Sequence, residues 1–494
     1  MGASKHIISE YSSEDPSKNF NVHNPATGAV IATVRAGDAT TLDKAVQVAH
    51  KAFLEWKKVP LTRRSQLMFE CAKEVEKHAD ELAELLITEN GKLLSDGRMV
   101  DVNFVSQVYR YFGSLIDKLP GEFHDSGSVY RYVTREPHGV CGGILPFNWP
   151  PIHTAGKSAP CIAMGNTIIL RPGEQAPLTS MRIVDILNTV LPKGVVQYVP
   201  GIGPEVPQAL TAHPLVKMIS ITGSTAAGQG VVRTASALVK PTVLELGGKN
   251  ALVVFPDADL HRAARDALEG AFFNKGEACT ATSRLLIHSD IYDAFVEKYA
   301  AAVRKLRAGN GLKKGTHVGP CATQAQKERV LDLIRIGEEE GATIEAQGSL
   351  SDDPEEKDGF FVAPTLFTNV KRSMRIAREE IFGPVVTACR FDSEEEVVSI
   401  INEARWGLTC AIYSGNQELA LRVCRQVDVG MSFINIYFRN TLGIPFGGVK
   451  ETGYGREHCI DTLKDWSTSK VIQMPSGMAP VPSWPPINEL LPWE

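Results

Sequence analysis

The chain has 494 residues, 43% of them hydrophobic and 22% charged, with a formal net charge of −5 and a pI near 6.2. That composition describes a large globular protein of roughly two to four domains, with no electrostatic footprint for nucleic acid and no apolar run near the ~18 residues that span a bilayer. Nine cysteines, odd in number and never spaced as CxxC, argue against a disulfide framework and a zinc site and suit a reducing compartment.

In chain order, the polar start MGASKHIISEYSSEDPSKNF lacks an apolar signal core, and His6 stands where a myristoylation motif needs Ser or Thr, so a cytoplasmic location is expected. NPATGAVIATVRAG reads as short antiparallel strands punctuated by Pro25, Gly28 and Gly37. From Asp38 to Leu94, apolar residues recur at three- and four-residue spacing, which predicts amphipathic helices, and a further helix is expected over Gly97 to Lys118. GSVYRYVTREPHGVCGGIL alternates apolar and polar positions, as a pair of exposed strands would, and such a hairpin needs covering by a partner subunit.

Short apolar strands then alternate with helical stretches through NTIILRPG, VVQYVPG and MISITGS to a helix from Thr225. Apolar strand, glycine-bearing turn and helix in repetition predict a parallel, doubly wound sheet, whose commonest tenant is a dinucleotide. After Glu245 a second α/β series begins at NALVVF and runs on through RLLIHS, PTLFTNV, VVTACRF, TCAIYSG and MSFINI. GSLSDDPEEKDGFF is expected to be a surface loop, LKDWSTSKVIQM a closing β segment, and the proline-rich tail from Pro475 an irregular cover over some surface.

The chemistry is concentrated in FFNKGEACTATSR, Phe272 to Arg284. Cys279 stands there among small and polar residues, a setting that suits a turn facing a cleft better than a buried structural thiol. Glu245, in VLELGGKN, follows an apolar strand and precedes two glycines, so its carboxylate can be held in a cleft as a general base for water. In MISITGSTAAG a strand enters a turn with Gly223 and Gly228 and then a helix, whose N-terminal N–H groups suit a pyrophosphate, although the pattern is neither GxGxxG nor a P-loop.

With ELGGK and, about thirty residues later, NxGxxC, the chain resembles the aldehyde dehydrogenase superfamily, with a shorter match of CTATSR to the betaine and amino-aldehyde branch. The closing FGGVKETGYGRE, with Thr452 where the family has serine, strengthens the resemblance, which covers nearly the whole chain from Asn19 to Ile472. It implies an α/β fold with a doubly wound dinucleotide-binding domain (1–125 and 147–247), an α/β catalytic domain (248–460), a small β oligomerisation arm (126–146 and 461–474) and an irregular tail (475–494). It also implies a homodimer or homotetramer, a small-molecule aldehyde substrate, no metal and no membrane or nucleic-acid partner.

The implied catalytic set is Cys279, Glu245, Asn148 and Lys157. Cys279 attacks the aldehyde, Asn148 and the Cys279 N–H hold the oxyanion, hydride passes to the nicotinamide, and Glu245 activates the water that hydrolyses the thioester. The implied cofactor set is Phe147, Arg171, Glu174, Gly223, Ser224, Leu246, Glu380 and Phe382. Glu174 favours NAD by repelling a 2′-phosphate, while Arg171, in place of the family's lysine, leaves room for NADP. Glu277 replaces the family's glutamine two residues before the nucleophile, where a carboxylate facing the sulfur would oppose the thiolate. Trp149, Trp406, Tyr437 and Phe438 suggest aromatic walls, with Arg439 near them. A CoA-acylating enzyme using the same cysteine, or a non-catalytic binding or structural protein on this fold, are the alternatives.

Overall fold

The computed structural model describes residues 18–437 and 441–491. Phe438, Arg439, nearly all of the polar start and the last three residues of the tail lie outside the described residues. Two parallel-rich sheets organise the rest, each beginning in its own middle. In the six-stranded sheet, Val140–Ile144 pairs in parallel with Thr167–Arg171 on one side and Val216–Thr222 on the other. Val196–Tyr198 and Thr242–Glu245 extend it, and Gly453–Tyr454 closes one edge antiparallel to Leu244 and Glu245. In the seven-stranded sheet, Asn250–Val254 lies between Thr282–His288 and Thr409–Tyr413, all three parallel.

The strands of both sheets are short and apolar because both their faces are covered. Ile168, Ile169, Leu170, Leu252, Val253 and Val254 are completely buried. The helices cover them with one apolar stripe each. Ala39–Trp56 buries Leu42, Val46, Ala49 and Trp56, and starts where Asp38 Oδ1 accepts from the Thr41 N–H. The helical stretch expected over Gly97 to Lys118 is a π-turn, Gly97–Val102, running into Asn103–Leu115.

The exposed hairpin expected over residues 127–145 is not formed. Val129–Pro137 belongs to a three-stranded sheet, pairing with Glu122–Asp125 and, along nine residues, with Ser467–Pro475. Val140–Ile144 is instead fully buried at the centre of the six-stranded sheet. The cause is packing at its glycines: a Cβ at Gly142 would lie 2.6 Å from Ile219 Cδ1 and one at Gly143 2.6 Å from Leu170 Cδ2. VCGGI is a strand made thin to admit neighbours on both faces, not an alternating one. Residues 348–361 are only partly the expected surface loop: Ser349–Leu350 pairs in parallel with Arg307–Ala308, Pro354–Glu356 is a 3₁₀ turn, and Phe360 and Phe361 are buried in the core. In the described part of the tail the apolar side chains of Met478, Trp484, Leu490 and Leu491 are exposed and not buried on this chain. Among the described residues no helix is long and apolar enough to cross a membrane.

Candidate active site

Where a parallel sheet reverses its strand order, the loops leaving two adjacent strands part and open a crevice at their carboxyl ends. Here that crevice is a cleft of about 740 Å³, walled by residues 144–148 after one strand and by Ile221 to Ser224 after its neighbour. Gly223 leaves space: a Cβ built on it meets no protein atom closer than 3.8 Å, so it would project into the cleft. Ser224 caps the helix Thr225–Ser236, its Oγ accepting from the Ala227 N–H at 3.3 Å, and the helix presents its positive end to the same space. Gly228 packs the helix down, because a Cβ there would meet Leu246 at 2.6 Å.

Arg171, Glu174, Leu246, Glu380, Phe147 and Phe382 all line this cleft with Cys279. The Arg171 guanidinium donates to Glu174 Oε2 at 2.8 Å and to the Gly201 carbonyl at 2.8 Å, and Glu174 Oε2 also accepts from the Gly203 N–H at 2.6 Å. The arginine is therefore committed to fixing the acid. Glu380 accepts from the Gly248 N–H at 2.9 Å, and Phe382, held at a positive φ of 58°, sets its ring edge-on to Phe147 at 5.9 Å. Gln326 and Arg329, which the sequence did not single out, fix this turn by donating to the carbonyls of Phe382 and Ile381 at 2.7 and 2.8 Å.

Cys279 sits partly buried at the inner end of the cleft, after a turn in which Asn274, Lys275 and Gly276 all take left-handed φ values of 49°, 55° and 70°. Side chains hold that conformation. Asn148 Nδ2 donates to the Glu277 carbonyl at 3.0 Å, while Asn274 Nδ2 donates to the same carbonyl at 2.9 Å and to the Asn148 carbonyl at 3.2 Å. Asn148 Oδ1 is buried without a partner. Glu277 faces away from the sulfur: its Oε1 accepts from the Ala322 N–H at 3.0 Å and its Oε2 lies 3.4 Å from Lys275 Nζ. Burial pushes the Cys279 thiol up, with Glu245 and Glu380 adding to the shift.

Glu245 lies behind the cleft wall formed by Leu246 and Gly247, with both carboxylate oxygens buried and without hydrogen-bond partners. Burial, then the Glu457 carboxylate, raise its pKa well above the ordinary value, while Lys157 and Arg456 oppose the shift. Lys157 is fully buried and donates to Glu457 Oε1 at 2.7 Å and to Ser220 Oγ at 2.9 Å, outside the cleft lining. Glu457 is thus a member of this buried group that the sequence reading missed. Thr452, in the turn before the strand Gly453–Tyr454, ties that turn to the wall by donating to the Gly247 carbonyl at 2.9 Å. Trp149 packs on Phe273 at 5.6 Å and Tyr437 donates to the Thr280 carbonyl, so both support the nucleophile turn. Trp406 does not join them, as its Nε1 donates to Thr225 Oγ1 at 2.9 Å on the far side of the helix start.

Comparison with known proteins identifies this arrangement. A model of the aldehyde dehydrogenase family matches residues 11–472. The chain belongs to that family. It is 92% identical to an aldehyde dehydrogenase of Didymella fabae over 494 residues, the whole of both chains, and 55% identical to the aldehyde dehydrogenase citD of Monascus ruber, covering 96% of this chain and 94% of that one. Its fold superposes with a TM-score of 0.91 on a betaine aldehyde dehydrogenase of Staphylococcus aureus solved in complex with NAD+, at 32% identity over 95% of this chain and 96% of that chain. The protein is accordingly an aldehyde dehydrogenase of α/β architecture, oxidising an aldehyde to its carboxylic acid.

Proposed function

We propose that this aldehyde dehydrogenase uses NAD and works through a cysteine thioester hydrolysed by water, with Cys279, Glu245, Asn148 and Lys157 as its chemical group. The carrying observation is the placement of Cys279 at the inner end of a cleft whose outer end has the fittings of a dinucleotide site. The cleft fits the cofactor at three points: open space over Gly223, the helix start at Ser224, and the Glu174 carboxylate for a ribose hydroxyl. Glu380, Phe382, Phe147 and Leu246 would border the nicotinamide half, and Arg171 acts through Glu174. Bound NAD supplies the hydride acceptor. Glu174 disfavours a 2′-phosphate, so NAD is preferred to NADP. NAD-bound relatives, including the Staphylococcus aureus enzyme, support NAD as a cofactor of this cleft.

The chain's own part follows from its polar atoms. Cys279 must lose its proton before it attacks the carbonyl carbon, which makes the buried thiol the first barrier. The second hydrogen of Asn148 Nδ2 and the Cys279 N–H are the donors for the resulting oxyanion. Glu245, uncommitted in hydrogen bonding, is the base for the hydrolytic water, and the Lys157–Glu457 pair beside it holds its charge balance.

By extension, residues 18–125 and 138–247 form the dinucleotide-binding domain, because Val140–Ile144 lies at the centre of its sheet and not in the arm, and 248–460 form the catalytic domain apart from the edge strand Gly453–Tyr454. The three-stranded sheet, which leaves Val471, Ile472 and Met474 exposed, is the arm through which copies associate as a homodimer or homotetramer. A cytoplasmic location accords with nine free cysteines, all unpaired in this structure.

The test is Glu245→Gln mixed rapidly with aldehyde and NAD. A burst of NADH near one per active site should precede steady turnover slowed by about 10²–10⁴-fold, with an acyl group left on Cys279. An absent burst places Glu245 before hydride transfer, and recovery of turnover on adding CoA replaces the hydrolytic reading with the acylating one.

A further inference from the structure

A second cleft, of about 890 Å³, lies on the catalytic side of the molecule, and nothing in the oxidation of an aldehyde uses it. Its deep end is formed by Lys249 and Arg284, both almost wholly buried. One mouth wall is a single loop and helix start carrying Lys371, Arg372, Arg375 and Arg378. Arg390 and Arg405 stand on other parts of the wall. Against these cations the lining has two carboxylates, Glu379 and Glu403. In a chain of net charge −5, such a concentration in one concavity is a local construction rather than a property of the whole surface.

Half of these cations are already neutralised by carboxylates of the lining or beyond it. Arg375 grips Glu379 at 2.6 Å, Arg372 grips Glu396 at 2.6 Å, and Arg390 and Arg405 pair with Asp293 and Glu451. The other half, Lys249, Arg284, Lys371 and Arg378, have no carboxylate partner among the described residues. Lys249 Nζ reaches the Ile376 carbonyl at 2.8 Å, and the Arg284 terminal nitrogens reach the carbonyls of Lys249 and Ile400 at 2.7 and 3.2 Å. Arg284 Nε is buried with no acceptor at all. A buried arginine N–H without a partner carries a desolvation cost that an anion in the cleft would remove. Burial, then the facing Arg284 guanidinium, also pull the Lys249 ammonium down to about 7.

We propose that this cleft binds a phosphate-bearing small molecule of at least two negative charges. Arginine forks and lysine point charges are the usual partners of phosphoryl oxygens, and Arg284, Lys371 and Arg378, three cations without a salt-bridge partner among the described residues, exceed what a monocarboxylate would neutralise. The concave shape and the depth of Arg284 select a small ligand over a nucleic acid or membrane surface. The site lies back to back with the cofactor cleft: Lys249 follows the Gly248 whose N–H holds Glu380, and Trp406, on its wall, bonds the first residue of the helix Thr225–Ser236.

Calorimetric titration of the full chain with inorganic pyrophosphate, AMP and a hexose bisphosphate, each at constant ionic strength and with NAD present, tests the proposal. Saturable binding of at least one probe at one per chain is expected, and the probe that binds most tightly identifies the source of the phosphate. Lys371→Glu/Arg378→Glu should weaken that binding at least tenfold while dehydrogenase turnover without phosphate is unchanged, since both side chains are exposed and neither lines the cofactor cleft. Turnover at the wild-type level shows that the variant is folded. No saturable binding of any probe, or equal binding by wild type and the double variant, would overturn the site.

Discussion

The pair beneath the nucleophile turn gives the sharpest test of how Cys279 is held. Lys275 and Glu277 have completely buried side chains, 3.4 Å apart. Their surroundings are unequal. Lys275 Nζ has two further acceptors, the Asn90 carbonyl at 2.9 Å and Asn90 Oδ1 at 2.7 Å, whereas Glu277 Oε2 has no hydrogen-bond partner and Oε1 has only the Ala322 N–H. Lys275→Met keeps a straight chain and pays the same backbone penalty at φ 55°, so the loss it reports is that of the charge. It leaves a buried carboxylate uncompensated, which costs about 3–5 kcal/mol. Glu277→Gln leaves Lys275 two acceptors and should cost about 1–3 kcal/mol. With an unfolding entropy near 2.1 cal/mol/K per residue, a chain of 494 residues loses about 1 °C of Tm per kcal/mol. Scanning calorimetry should therefore show a fall of about 3–5 °C for Lys275→Met and about 1–3 °C for Glu277→Gln. Because Glu277 faces away from the sulfur, the pH profile of iodoacetamide alkylation at Cys279 should be unchanged in Glu277→Gln. An equal or larger loss in Glu277→Gln, or an alkylation profile moved to lower pH, would refute this account.

Three further outcomes follow from the site. Gly223→Ala should raise the Kd for NAD at least tenfold with Tm unchanged, because the new Cβ enters the cleft and meets no protein atom closer than 3.8 Å, as fluorescence titration and calorimetry can check together. Glu174→Gln should narrow the NAD over NADP ratio of kcat/KM by removing the charge that repels a 2′-phosphate, and a wild-type preference for NADP would show the acid to be misjudged. Since Glu245 has a folded pKa raised by burial and Glu457, its stabilising contribution is complete below the ordinary carboxyl pKa and is lost as pH rises through the raised value. Steady turnover should rise over the same range, and Glu245→Gln should remove both the alkaline loss of Tm and that rise in rate.

Much of this was legible in the chain because it rests on local patterns. NALVVF and NTIILR are uninterrupted apolar runs, and only a strand covered on both faces tolerates them, so the parallel sheets could be read. The placement of Cys279 at a cleft was legible through the small residues around it, whereas Glu245, expected in the cleft, lies behind the wall formed by Leu246 and Gly247. VCGGI misled because its glycines look like polar positions of an alternating strand, whereas they are points of contact with Leu170, Leu210 and Ile219. The buried pairs Lys92–Asp101 and Lys157–Glu457 could not be read from spacing, since a charge is solvated by default and only the fold brings these partners together. Trp406 failed for the same reason: an aromatic side chain does not reveal which of two clefts it borders.

The ladder between Val129–Pro137 and Ser467–Pro475 also governs how the molecule can be made. Its two strands are separated by roughly 330 residues, and at about 5–20 residues per second the ribosome needs about 15–70 s to cross that interval. Throughout that time the first strand has only the four residues Glu122–Asp125 to pair with, and its other edge stays open in a nascent chain whose sheets are otherwise already assembling. The waiting edge is the segment most open to capture by a second nascent chain on the same message, which would join two copies through an exchanged strand before either is complete.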